Sequence, residues 1–351
     1  MTDCNLNHSN EFSTRLIEWL RGKGSILIVT HDYPDPDALA AACALQHLIL
    51  IKTGQEATIA FGGTVNRAEN RVMVQQLEIR SVCLSEIDPA GYNVVCMVDT
   101  QPGTGNNSLP ADCKIDVVID HHPLHVKAAN CRWVDVRPEY GASATILFEY
   151  LRCQEVKLAT KLATILFYAI ASETQHLGRD WTRADREAYL RLLPLCNNRI
   201  LHEISRPQAP RAYFKTFSDG LQHAKIYGDV LVFNLFDIDY PEIVAEIADF
   251  LMKVEGINIT LGIGRFREEG VLSMRTYGGD HHAGSLVKGI IHGLGTAGGH
   301  SMTAGGQIRP MPADRAGQVE LERELVRKLL QLLGRPPDEC EPLVAGSAGP
   351  C

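Results

Sequence analysis

Three apolar runs in the first half of the chain each end in acidic or imidazole side chains. Residues 25–30, SILIVT, lead into His31, Asp32, Asp35 and Asp37; residues 93–98, NVVCMV, into Asp99; residues 114–119, KIDVVI, into Asp120, His121 and His122. A further carboxylate, Glu173, closes the apolar stretch at 158–176. Imidazoles and carboxylates with no thiolate beside them form a hard to borderline donor set that suits Mn²⁺ or Mg²⁺ better than structural zinc. His31, Asp35, Asp37, Asp99, His121 and Glu173 are more groups than one ion can use while leaving room for a substrate, so a pair of ions is the natural reading. Such a pair, about 3.5–4 Å apart, activates water and neutralises charge developing on a phosphoryl oxygen, which points to hydrolysis of a phosphate ester or anhydride. Each cluster also has an ordinary reading: PDPD as a solvated turn with Asx bonds and a helix cap, Asp99 and Asp120 as caps, Glu173 as a solvated helix-terminal charge. Recurrence at three successive strand ends weighs against coincidence.

The elements that must position these groups follow from periodicity. The three runs read as buried strands, and in an open, mostly parallel sheet the loops at the carboxyl ends of the strands converge on one crevice. Pro34 and Pro36 stiffen the first loop, and Asp37 stands as the expected N-cap of a helix over 38–52. Residues 1–10 are polar and expected to be loose, 11–21 an amphipathic helix over a sheet edge, 58–61 and 131–136 strands, and 66–77, 141–152 and 158–176 helices. The glycines at 62–70 lack the Lys-Ser/Thr of a P-loop and read as a plain turn. Helices at 183–193 and 198–204 lead to two prolines at 206–212. Beyond them come a strand at 229–236, a helix at 241–254, strands at 257–267 and 271–277 joined by a turn at Gly270, and helices at 283–294 and 314–333. The expectation is an α/β protein: a doubly wound, mainly parallel domain over 1–195, a linker over 196–212, a smaller α/β domain over 213–335 and a flexible tail over 336–351.

The second domain carries GLGTAGGHSMTAGG at 293–306, with Gly298, Gly299, His300 and Gly305. It matches G-x-G-x-x-G by letter, but a helix precedes it where a dinucleotide fold needs a strand. Such glycines let a backbone approach an anion, with His300 beside it; the alternative is a flexible loop with one satisfied histidine. Arg275 reads either as a buried salt-bridge partner or as a guanidinium that clamps a phosphate or carboxylate.

Composition narrows the class. The chain has 351 residues, 45% hydrophobic and 22% charged, enough for two cores. A net charge of −8 without a basic stripe argues against tracking long nucleic acid, so an anionic substrate is expected to be small. The longest apolar runs fall short of the roughly 20 residues that span a bilayer. With no secretory signal and ten scattered cysteines lacking a C-x-x-C pair, the reading is a cytoplasmic protein with reduced thiols.

THDYPDPDAL, VDT at 98–100, IDHHP at 119–123, AIASETQHLGR at 169–179 and GTAGGHSMTAGG resemble, in order, the motifs of the DHH/DHHA1 phosphoesterase family. The resemblance implies a metal-binding DHH domain, a substrate-binding DHHA1 domain and an active site in the cleft between them. It implies one manganese on His31, Asp35 and Asp99, and another on Asp37, Asp99, His121 and Glu173, with Asp99 bridging. His122 would face the scissile phosphate, Asp120 would orient His121, and Arg275 with the glycines around His300 would grip the substrate. Glu173 departs from the family's usual Asp and reaches one methylene farther. Compact members of the family cleave short oligoribonucleotides or dinucleotides, or the 3′-phosphate of adenosine 3′,5′-bisphosphate. The resemblance therefore implies a Mn²⁺-dependent phosphodiesterase of nanoRNase type, with Mg²⁺ as a substitute metal. The alternatives are a nucleotide-binding regulator whose second metal site has decayed, or an inorganic pyrophosphatase or polyphosphatase. A homodimer is the base-rate expectation for such an enzyme.

Overall fold

The computed structural model describes residues 2–277, 282–299, 302–336 and 340–344. The chain divides into two compact units, Met1–Pro207 and Gln208–Cys351.

The first unit holds strands β1 (Ile26–Val29), β2 (Ala57–Phe61), β3 (Val82–Cys83), β4 (Val94–Val98), β5 (Val117–Asp120) and β6 (Trp133–Val136). Its helices are α1 (Thr2–Leu20), α2 (Pro36–Thr53), α3 (Ala68–Gln76), α4 (Ser143–Cys153), α5 (Thr160–Glu173), α6 (Arg183–Leu192) and α7 (Asn198–Ser205). The six strands are all parallel in the order β3-β2-β1-β4-β5-β6, so the winding reverses between β1 and β4. β1 reads as an unbroken apolar run because both of its faces are covered. Ile26 and Ile28 join a core to which all seven helices contribute, and Leu27 and Val29 pack with Leu84, Val95 and, from the loop after β4, Leu109 and Ile115. The doubly wound strand order is thus kept, with irregular segments over the second face.

Helix α2 starts two residues earlier than its apolar pattern suggests. Asp35, not Asp37, is the N-cap: its backbone is extended and its Oδ1 accepts from Ala38 N at 2.9 Å. Pro36 then occupies the first helical position, where a missing N–H costs nothing. Helix α1 likewise extends back through residues expected to be loose, because Ser9 and Ser13 are fully buried. Helix α7, which occupies residues expected to be linker, packs Ile204 into the first core, and the two units divide at Pro207 and Gln208.

The second unit comprises α8 (Arg211–Gln222), β7 (Lys225–Tyr227), β8 (Val230–Asp237), α9 (Glu242–Leu251), β9 (Ile259–Phe266), β10 (Glu269–Thr276), α10 (Ala283–Ile290), β11 (Gly295–Gly299), β12 (Thr303–Ile308), α11 (Arg315–Leu332) and β13 (Glu341–Pro342). Its sheet runs β11-β12-β10-β9-β8-β7-β13, with α10 and α11 on one face and α8 and α9 on the other. The turn between β9 and β10 is Arg267–Glu268, with Arg267 left-handed at φ 60. Gly270 is instead inside β10, where a Cβ would press on Met311 Sδ at 2.8 Å. The glycine-rich segment is also strand: β11 pairs with β12, Gly298 opposite Gly305. A Cβ at Gly299 would strike the Thr303 carbonyl, so closeness to a neighbouring strand accounts for that glycine. The tail is not featureless, since Glu341–Pro342 pairs with β7. Among the described residues seven cysteines are free, whereas Cys340 is disulfide-bonded, against the expectation of thiols throughout. No helix among the described residues is long and apolar enough to cross a membrane.

Candidate metal centre

The residues that follow β1, β4 and β5 meet at the carboxyl end of the sheet, where the strand order reverses. Asp99 lies at the middle of them. It adopts a left-handed backbone, φ 57, directly after β4 and is 1% exposed. That conformation costs a non-glycine residue of order 1–3 kcal/mol and persists only where surrounding contacts hold it. Its Oδ1 accepts from Ser143 Oγ at 2.9 Å.

His31 Nε2 stands 3.6 Å from Asp99 Oδ2 and 3.8 Å from Asp35 Oδ2. His121 Nε2 stands 3.5 Å from Asp99 Oδ1 and 3.8 Å from Asp37 Oδ2. Both rings are aimed by their other nitrogen. His31 Nδ1 contacts the Asp32 carbonyl at 2.9 Å and His121 Nδ1 the Tyr140 carbonyl at 3.1 Å. A carbonyl only accepts, so each Nδ1 carries the hydrogen and each Nε2 faces the carboxylates. Two groups offer ligand atoms within 4.8 Å of one another, His31 with Asp35 and Asp99, and Asp99 with His121 and His122. Asp99 is common to both.

The other expected residues are placed differently. Both oxygens of Asp37 accept backbone N–H groups at the start of α4, Ser143 N at 2.7 Å and Ala144 N at 2.8 Å. Asp37 therefore anchors a helix N-terminus as well as facing His121. Glu173 is in neither group; its Oε1 lies 3.7 Å from Arg179 Nη2, which also donates to the Glu173 carbonyl at 2.9 Å. Asp120 orients His122 and not His121: its Oδ1 accepts from His122 Nδ1 at 2.8 Å and from His122 N at 3.1 Å. Gln101 Nε2 holds the second Asp120 oxygen at 2.7 Å. In the second unit Arg275 is 9% exposed and engaged with Asp249, with Ser273 Oγ at 2.8 Å and with the Met274 carbonyl at 3.0 Å. Gly298, Gly299 and Gly305 lie on the β11–β12 pair, and His300 lies outside the described residues.

The electrostatics call for a cation. Burial, then the neighbouring Asp99, Asp35 and Glu173 carboxylates, push Asp37 well above the usual carboxylate range. Glu173 is raised by burial and then by Asp35. Burial disfavours a charged His31, yet Asp35 and Asp99 raise it well above its ordinary value. The same opposition lifts His122 to about 9, with Asp120 overcoming burial. Carboxylates this close and this buried are stable as anions only beside positive charge, which a divalent ion held by the imidazole and carboxylate groups would supply. The donor set and its geometry fit such an ion.

Sequence reasoning missed Ser143, Tyr140 and Gln101, and named Asp32 without giving it a role. Tyr140 acts through a backbone carbonyl and Gln101 through a partner 19 residues away, so neither leaves a local signal.

Fold and donor set together define an all-parallel α/β domain with a candidate acidic metal site at its switch point. Residues 25–170 match the DHH family, N-terminal domain. An uncharacterized protein of Methanocaldococcus jannaschii is 31% identical over 325 residues, 90% of this chain and 66% of that protein. The bifunctional oligoribonuclease and PAP phosphatase NrnA of Bacillus subtilis is 29% identical over 167 residues, 46% of this chain and 50% of that protein. The matched stretches thus span between half and two thirds of these relatives. An exopolyphosphatase-related protein from Bacteroides fragilis shares the fold, with a TM-score of 0.74 at 14% identity over 94% of this chain and 98% of that one.

Proposed function

We propose that the chain is a Mn²⁺-dependent phosphodiesterase acting on short oligonucleotides or dinucleotides, able also to remove the 3′-phosphate of adenosine 3′,5′-bisphosphate. One observation carries this reading: two His-carboxylate groups share Asp99, as a carboxylate bridging a pair of ions must. The name of the Bacillus relative supports the substrate class. When bound, ions at these groups would activate water and neutralise phosphoryl charge, with Mg²⁺ as a weaker substitute. His122, fixed through Nδ1 by Asp120, would face a phosphate oxygen. On this reading the second unit is a DHHA1 domain, and Arg275 would exchange Asp249 for a substrate phosphate. The engagement of Asp37 by two backbone donors and the pairing of Glu173 with Arg179 favour a second reading, a nucleotide-binding regulator with an incomplete second metal site.

One assay separates them. The full chain with Mn²⁺ is offered diadenylate, adenosine 3′,5′-bisphosphate and pyrophosphate side by side. Hydrolysis of diadenylate, abolished by Asp99→Ala, is the expected result. Binding of diadenylate without turnover in any divalent metal establishes the regulator, and cleavage of pyrophosphate alone makes the protein an inorganic phosphatase.

A further inference from the structure

Asp32 follows His31 directly, belongs to neither ligand group, and has every polar atom engaged. Its carbonyl accepts from His31 Nδ1 at 2.9 Å, and its N–H donates to the Asn106 carbonyl at 2.8 Å. Its Oδ1 accepts from Gly62 N at 3.1 Å and from Ser108 N at 3.0 Å, and its Oδ2 accepts a short bond from Ser108 Oγ. Gly62 comes from the loop after β2, and Asn106 and Ser108 from the loop after β4, so one side chain clips three strand-end loops together. Position 62 is shaped for it: a Cβ there would collide with the Asp32 carboxylate and stand 2.8 Å from Ser108 Oγ.

The clip reaches the metal groups along two routes. Through its own carbonyl Asp32 sets which nitrogen of His31 is free. Through the loop after β4 it reaches Asp99, because Thr100 Oγ1 donates to Asn106 Oδ1 at 2.7 Å and Asn107 Nδ2 donates to Thr100 Oγ1 at 3.2 Å. Tyr33 and Asp99, at φ 54 and 57, are both left-handed, and backbones of that kind need contacts that over-determine them. The three-donor carboxylate supplies such contacts between the two loops.

We propose that Asp32 is a positioning residue for the His31–Asp35–Asp99 group. It holds the His31 tautomer and the 3.6 Å spacing of His31 Nε2 from Asp99 Oδ2, so affinity for a divalent ion depends on a carboxylate that does not touch it. The proposal rests on the metal-binding reading above.

The test is titration of the full, chelator-stripped chain with Mn²⁺, followed by calorimetry or by the electron-spin signal of free Mn²⁺, with melting of the metal-free protein alongside. Asp32→Ala, measured below its own melting temperature, is expected to bind Mn²⁺ about 10–100-fold more weakly than wild type. Asp32→Asn keeps an oxygen for the Gly62 and Ser108 N–H groups and an amide for Ser108 Oγ, and is expected to bind within about threefold of wild type. A folded alanine variant with wild-type affinity overturns the proposal. So does an asparagine variant that loses as much as alanine, since charge and not the clip would then be what matters. Should Asp32→Ala not fold, Ser108→Ala decides: it removes one donor and is expected to weaken Mn²⁺ binding by about threefold, and unchanged affinity there overturns the proposal. Absence of Mn²⁺ binding by wild type would instead sink the metal reading itself.

Discussion

The cluster around β6 and α4 (Asp135, Arg137, Glu149) and the one at the strand ends (Asp37, Asp99, His121) are built from similar residues and are equally buried. Their hydrogen bonds differ. Arg137 donates to Asp135 at 2.9 and 2.6 Å, to Glu149 at 2.7 Å, to Ser9 Oγ at 2.9 Å and to Tyr140 Oη at 3.2 Å. Burial would lift Asp135, but this guanidinium fork holds it below its ordinary value. At the strand ends imidazole and carboxylate stand 3.5–3.8 Å apart, the Arg179 guanidinium reaches Glu173 only at 3.7 Å, and Asp37 is pushed up, not down. The first arrangement is closed by its own groups; the second leaves imidazole and carboxylate atoms spaced as ligands that an added cation would join. Tyr140 belongs to both, its hydroxyl donating to Glu149 at 3.1 Å and its carbonyl accepting from His121, so the closed cluster braces the open one.

Substitutions should separate the two by what they cost. Arg137→Met strands two buried carboxylates and is expected to lower the unfolding free energy by about 3–5 kcal/mol in urea titration. A loss below about 1 kcal/mol would mean that the closed cluster is no structural keystone. Asp99→Asn should show the opposite profile: hydrolysis of diadenylate down by about 10²–10³-fold. The chelated protein should lose less than about 1 kcal/mol, since the amide oxygen still accepts from Ser143 Oγ. Next in size is the effect of the cation itself, with Mn²⁺ at a hundred times its dissociation constant expected to stabilise wild type by about 2.7 kcal/mol and Asp99→Ala far less. The smallest effect is one of pH. His122 is held above its unfolded value of about 6.5, so the stability it contributes is full below that value and is lost as pH rises through about 9. Unfolding of metal-free protein between pH 6 and 10 should therefore show a decline that His122→Gln flattens; an unchanged slope in the variant assigns the decline elsewhere.

How far these features could be read in advance depended on whether their cause was local. The strand ends were legible because a strand covered on both faces must be continuously apolar, so the first polar letters after 25–30, 93–98 and 114–119 mark the tips. The cap of α2 was not: Asp35 and Asp37 are both good capping residues, and the choice fell to Asp35 because Pro36 suits the first helical position. The glycines at 295–306 resembled a loop because their strand role depends on how closely β11, β12 and β10 approach. The N-terminal helix was hidden for a related reason. Its polar residues pay for burial in bonds to partners more than 100 positions away, as Ser9 does with Glu149 at 2.6 Å.

Residue chemistry and its order along the chain were enough to establish an α/β domain and to nominate the carboxylates and imidazoles at its strand tips, because donor type and apolar continuity are properties of letters and their neighbours. Tertiary structure alone decided which of those groups converge, which ring nitrogen each histidine presents, and that Asp120 serves His122 while Asp37 anchors α4. Those outcomes turn on distances of a few ångströms between side chains and backbone atoms that are remote in sequence, and no spacing rule along one chain encodes them.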